Sequence, residues 1–157
     1  MWAKRKPYFI SILIALGTGG LSAFLIRDNV YIYALIRKPP LAPPAILFPI
    51  VWTPLYILMG VSCARIFLQY SSYPDDVFDA LLNYAFQLIL NFLWPVIFFN
   101  MRTFLFAFIW IVVLWSGILK MIFKFSRLDT AAAYLQIPYL LWATFAGYLN
   151  FMIYLLN

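Results

Sequence analysis

The chain contains no histidine, and that one absence removes the usual general base, the usual haem ligand and most transition-metal sites. Ser-His-Asp and Cys-His arrangements are impossible, and no metal site or required cofactor is expected. Charge is scarce as well. Only 10% of the residues are charged, against roughly 25% in a soluble domain, so water is not the main solvent of this chain. The five acids are Asp28, Asp75, Asp76, Asp79 and Asp129, and all stand at the ends of apolar runs. None lies in the middle of a run, where an ionisable group marks a proton relay or an ion path. The single cysteine, Cys63, allows no intrachain disulfide and reads as a small core residue. No glycine loop suited to phosphate is present, because Gly17, Gly19 and Gly20 sit inside an apolar stretch. Any activity must rest on aromatic rings, amides and hydroxyls.

What remains is 66% hydrophobic and 21% aromatic, a composition that excludes disorder. Runs of about 20 apolar residues cross a bilayer as helix. Five are placed, at about residues 8–26, 44–69, 77–99, 103–125 and 130–156. Continuous runs of this kind exclude a β-barrel, whose strands alternate. The expected fold is a single all-α domain over residues 1–157, a bundle of five transmembrane helices. Asp75 or Asp76 is placed to cap the third helix and Asp129 the fifth. With five spans, Lys4, Arg5, Lys6, Arg65, Lys120, Lys124 and Arg127 fall on one side of the membrane. Arg27, Arg37, Lys38 and Arg102 fall on the other, so the N-terminus is expected to be cytoplasmic. Lys4-Arg5-Lys6 and the run after it resemble a signal peptide only superficially. A cleavage site after Ala23 would need a small residue at Leu21, and the run is read as a retained first helix. The basic residues flank spans, where they meet lipid head groups. No compact basic face exists, so nucleic-acid binding is excluded.

The stretch Lys38–Tyr56 holds six prolines in nineteen residues. Proline fixes φ, removes a donor and restricts the residue before it, so Lys38–Pro44 is expected to be a stiff extended strap. It runs into Phe48, Trp52 and Tyr56, spaced one helical turn apart. In the third span Asn83, Gln87, Asn91 and Trp94 share a face that Phe98 extends. In the fifth, Trp142, Ala146 and Asn150 form another. Amides in a bilayer must be paired or face the bundle interior. Each stripe by itself fits interhelical packing as well as a pocket wall. Together, Trp52, Trp94, Phe98 and Asn150 are expected to surround one cavity beneath the strap. Ala15, Gly19 and Ala23, and Gly60 with Ala64, permit close helix approach within the monomer or across a dimer.

These residues resemble the TspO/MBR family, the tryptophan-rich sensory proteins and translocator proteins. The resemblance covers essentially the whole chain. It is carried by Tyr33 to Lys38-Pro39 with Pro43-Pro44, and by Phe48-Pro49-Ile50-Val51-Trp52-Thr53-Pro54-Leu55-Tyr56 with Met59-Gly60. It continues in Gln87-Leu88-Ile89-Leu90-Asn91 with Trp94-Pro95, and in Pro138-Tyr139-Leu140-Leu141-Trp142 with Phe145, Leu149 and Asn150. What it implies is a five-helix bundle, often a homodimer, whose first loop roofs a pocket. The pocket would take tetrapyrroles such as protoporphyrin IX, or other flat hydrophobic ligands of isoquinoline carboxamide and benzodiazepine type. Carried over by position, the implied ligand contacts are Tyr33, Pro43 and Pro44 from the strap, with Trp52 and Tyr56 and the adjoining Phe48 from the second span. Gln87, Leu90, Asn91 and Trp94 join them from the third span, and Trp142 and Ala146 from the fifth. Leu41 and Ile32 stand where tryptophan is usual in the family. The stretch Leu149–Leu155 lacks the arginine that ends the sterol motif of animal members. A metal-free ring held by stacking is the ligand this chemistry fits.

Three functions remain open from the sequence. The first is a receptor that stacks a tetrapyrrole on Trp52 and Trp142, with Gln87 and Asn91 bonding its polar groups and Arg37 and Lys38 near its propionates. The second is an enzyme that opens the ring in light, with Trp52 and Trp142 as the candidate catalytic residues and porphyrin as substrate. The third is a transporter of lipid-like molecules, or a membrane scaffold.

Overall fold

The computed structural model describes residues 2–157, and no strand occurs among them. Helix α1 spans Trp2–Ile26, α2 is a single turn at Ile32–Leu35, α3 spans Leu47–Phe67 and α4 Pro74–Pro95. A π-helical turn, Val96–Asn100, extends α4; α5 spans Phe104–Leu128, α6 Thr130–Tyr134 and α7 Ile137–Leu156. Five helical segments are long and apolar enough to cross a membrane, as expected. Helix α1 packs chiefly along α3, and α5 lies between α4 and α7. Phe9, Leu13, Phe24, Phe86, Ile89 and Leu141 are exposed on the outside of the bundle, which suits a surface solvated by acyl chains.

The boundaries depart from the sequence expectation where proline or tertiary contacts intervene. Helix α1 begins at Trp2 rather than near Tyr8, with Pro7 inside it; a proline there removes only one ladder bond. Asp75 and Asp76 do not cap α4. Pro74 occupies its first turn and Tyr73 precedes it, with no side-chain cap bond, so both acids lie in the first turn itself. There they complement the positive end of the helix dipole without accepting a cap bond. Asp129 does cap the next segment, accepting from the Ala132 N–H at 3.1 Å. That segment is not one helix: α6 ends at Tyr134 and α7 restarts at Ile137 with Pro138 in its first turn. After Pro95 the Met101 N–H reaches back five residues to the Val96 carbonyl (3.1 Å). The ladder widens by one residue in this turn, which follows directly on the proline.

Two glycines set the α1–α3 spacing. A Cβ added to Gly60 would sit 2.5 Å from the Ile12 Cα, and the Tyr56 ring lies directly against Gly19. These small residues therefore serve contacts within the monomer. Arg65 and Asp129 tie α3 to the α5–α6 junction at 2.8 Å. Burial would raise the Asp129 carboxyl, but the Arg65 guanidinium and the Ala132 N–H outweigh it and hold it below the usual carboxylate range.

Candidate functional site

The loop after α1 is not extended throughout. The Ala42 N–H bonds the Pro39 carbonyl at 3.2 Å, closing a turn across Pro40 and Leu41. Leu41 adopts φ 72°, the positive value that the third residue of a type II turn requires and that glycine or asparagine usually supplies. Beyond this turn the strap is anchored at several points. The Tyr33 hydroxyl donates to the Pro43 carbonyl at 2.6 Å, and its burial raises the phenol pKa. The Lys38 ammonium folds back onto the Tyr33 carbonyl at 2.8 Å. Tyr148 on α7 donates to the Pro40 carbonyl at 3.2 Å. The Asn157 side chain accepts from the Arg37 N–H and donates to the Arg37 carbonyl, both at 2.9 Å. The strap is thus latched to the far end of α7 by backbone bonds that its prolines leave free.

Beneath it, α3 and α7 approach through rings rather than through close backbone contact. Tyr33 meets Phe48 edge-on at 5.3 Å, Phe48 meets Trp142 at 6.1 Å, and Trp142 meets Phe145 at 5.4 Å. One turn deeper Trp52 stacks on Tyr56 at 5.6 Å and meets Tyr139 at 6.1 Å. Helix α4 completes the arrangement with amides. The Tyr56 hydroxyl donates to Asn91 Oδ1 (2.6 Å), and Asn91 Nδ2 donates to the Tyr139 hydroxyl (2.7 Å). Tyr139 in turn donates to Gln87 Oε1 (2.7 Å). Three helices are joined by this buried chain, and it stops at Gln87 Nε2, which has no partner. The indole N–H of Trp142 is also buried without a partner. An unpaired buried donor costs about 1–3 kcal/mol, and each of the two calls for an explanation.

Of the residues expected at the site, Tyr33, Phe48, Trp52, Tyr56, Gln87, Asn91 and Trp142 fall into this continuous cluster. Within the strap Pro43 is buried and Pro44 is exposed. Leu90 and Ala146 are buried in the core; the Leu90 carbonyl accepts from the Trp110 indole (2.8 Å) and the Ala146 carbonyl from Asn150 (2.9 Å). Trp94 bonds Asn150 Oδ1 at 3.3 Å. Phe98 extends the Trp94 face as expected, its ring 5.8 Å from that of Trp94. It also packs on Phe99 and Phe104 at 4.9 and 5.1 Å, toward α5. Asn83 is interhelical glue, donating to the Gly117 carbonyl at 3.0 Å. Tyr139, the hub of the buried chain, stands in a motif that carries the resemblance but is not among the expected ligand contacts. It lies one turn before Trp142, so extending that stripe backwards would have reached it. The Tyr148 and Asn157 latches carry no local signal.

Comparison with known proteins follows the same residues. The profile of the TspO/MBR family matches residues 9–156. The chain is 38% identical over 148 residues to the tryptophan-rich protein TspO of Chlorobaculum tepidum, covering 94% of this chain and 92% of that protein. It is 36% identical over 149 residues to the tryptophan-rich sensory protein of Cereibacter sphaeroides, covering 95% and 90%. Against the translocator protein of Bos taurus it is 32% identical over 119 residues, covering 76% and 70%. With five membrane-length helices, these matches identify a multi-pass integral membrane protein.

Proposed function

The chain belongs to the TspO/MBR family, and from that premise we propose that it is a membrane receptor for a flat hydrophobic ligand, with a tetrapyrrole such as protoporphyrin IX as the best fit. The observation that carries this reading is the ring cluster of Phe48, Trp52 and Trp142, in which the buried Trp142 indole N–H has no partner; the unpartnered Nε2 of Gln87 lies at the end of the polar chain that reaches the cluster through Tyr139. A planar aromatic guest that parts Phe48 from Trp142 would replace ring–ring contacts by ring–guest stacking, each worth about 0.5–1.5 kcal/mol beyond area burial. Its acceptor atoms would meet the free indole N–H of Trp142. The guest's gain is therefore in polar pairing, while stacking is roughly exchanged.

Entry requires the strap to lift. Its bonds to Asn157 and Tyr148 are exposed and worth about 1 kcal/mol each, so the strap can serve as a lid that a ligand re-closes. Lys38 at its edge would meet a propionate by giving up its bond to the Tyr33 carbonyl. In this reading the N-terminus is cytoplasmic and the strap faces outward, as the distribution of cations favours.

The test is a titration of the purified protein with protoporphyrin IX, followed by tryptophan quenching in the dark. Saturable quenching in the wild type that is lost in the Trp52→Ala/Trp142→Ala double variant is expected. No saturation, or the same saturation in the double variant, would refute the reading. A light-dependent change in the porphyrin spectrum that needs both tryptophans would move the assignment from receptor to enzyme.

A further inference from the structure

A groove of about 400 Å³ runs along α5, away from the aromatic cluster. Ser116, Lys120, Lys124 and Arg127 line it on successive turns, and Trp115, Leu119 and Phe123 form the apolar stripe beside them. The deep end is fixed, since the Trp115 indole donates to Thr144 Oγ1 on α7 at 2.8 Å. Lys124 is held by Asp79 of α4 at 2.6 Å. Lys120 and Arg127 are exposed, as is Phe123 at 62%.

We propose that this groove binds one anionic phospholipid. Trp115 to Arg127 covers about 18 Å at the helical rise of 1.5 Å per residue. That is slightly more than one leaflet of a hydrocarbon core about 30 Å thick. An acyl chain lying along Trp115, Leu119 and Phe123 thus brings its phosphate to the level of the cations. Asp79 offsets Lys124, and Lys120 and Arg127 leave an excess of positive charge that a zwitterionic head group would not neutralise. Arg127 presents a fork suited to a phosphate, and Lys120 reaches it by extending its stem along the apolar stripe. The same end of the bundle carries Lys4, Arg5 and Lys6, which is the end expected in the cytoplasmic leaflet, where anionic lipid is concentrated. This inference does not rest on the identity of the ligand beneath the strap.

Native mass spectrometry of the detergent-purified protein, titrated with phosphatidylglycerol or phosphatidylcholine, tests it. One tightly retained phosphatidylglycerol is expected, with phosphatidylcholine much weaker. Each juxtamembrane cation is worth about fivefold, so Lys120→Gln/Arg127→Gln should weaken phosphatidylglycerol about thirtyfold. Arg127→Lys, which keeps the charge but not the fork, should weaken binding less than Arg127→Gln, and Arg102→Gln at the other end of the bundle should leave phosphatidylglycerol retention unchanged. Equal retention of the two lipids, or undiminished phosphatidylglycerol in the double variant, would overturn the proposal. Displacement of the lipid by inorganic phosphate at similar concentration would overturn it too, by showing a free-anion site.

Discussion

Replacing Tyr139 by phenylalanine deletes one oxygen from the centre of the buried polar chain and leaves the ring in place. That hydroxyl receives Asn91 Nδ2 and donates to Gln87 Oε1, both at 2.7 Å, and Tyr139 is 1% exposed. Gln87 would be left with no partner at either end, because its Nε2 has none already. Asn91 would keep only its bond from Tyr56. Interhelical bonds in membrane proteins average about 0.6 kcal/mol, because the unfolded chain also finds partners, so two lost bonds set a lower bound near 1 kcal/mol. Stranding two buried groups at about 1–3 kcal/mol each sets an upper bound of several. A loss of about 1–4 kcal/mol is expected from reversible unfolding in mixed micelles. Tyr154→Phe, on an exposed ring, serves as the control and should stay within about 0.5 kcal/mol of the wild type. If Tyr139→Phe is as stable as that control, the polar chain does not join α3, α4 and α7, and the reasoning about its free end fails with it.

Further expectations follow from the same contacts. Gly60→Ala places a Cβ against the Ile12 backbone, whereas Gly20→Ala meets nothing within 4 Å. The first should destabilise by about 1–3 kcal/mol as an overpacked contact and the second should be neutral or slightly stabilising, as thermal melts in detergent would reveal. Leu41→Gly removes a side chain from a left-handed position that costs about 1–2 kcal/mol; the melting temperature should rise unless the glycine's added unfolded-state entropy cancels the gain. The folded-state pKa of Asp129 lies below its unfolded value, so its contribution is present above pH about 4 and lost as pH falls further. The stability gap between wild type and Asp129→Asn should therefore be open at neutral pH and close in acid; a gap that widens in acid would contradict the Arg65 pairing.

Much of this was legible in the sequence. Long apolar runs separated by charged breaks define spans without any tertiary knowledge, because a bilayer forces backbone bonding within each segment. The stripes Phe48–Trp52–Tyr56 and Gln87–Asn91 also come together as spacing suggests, since residues three or four apart must share a face. What the sequence could not convey depends on distant partners. Pro74 displaced the aspartates from the cap because proline is pre-organised for the first turn. The π turn after Pro95, where Phe98 also meets Phe99 and Phe104, is specified only by the packing there. The strap's latches at Asn157 and Tyr148 join residues more than a hundred positions apart, and Leu41 turns the strap against its own backbone preference.

The central claim is that the free N–H of Trp142 is kept for a ligand, and Trp142→Phe removes that N–H while preserving an aromatic face. The dissociation constant of protoporphyrin IX, measured in the dark for wild type and variant, decides it. The account predicts binding about three- to tenfold weaker, the value of one hydrogen bond of about 0.5–1.5 kcal/mol, with the melting temperature of the unliganded protein little changed. Undiminished affinity in Trp142→Phe would contradict it.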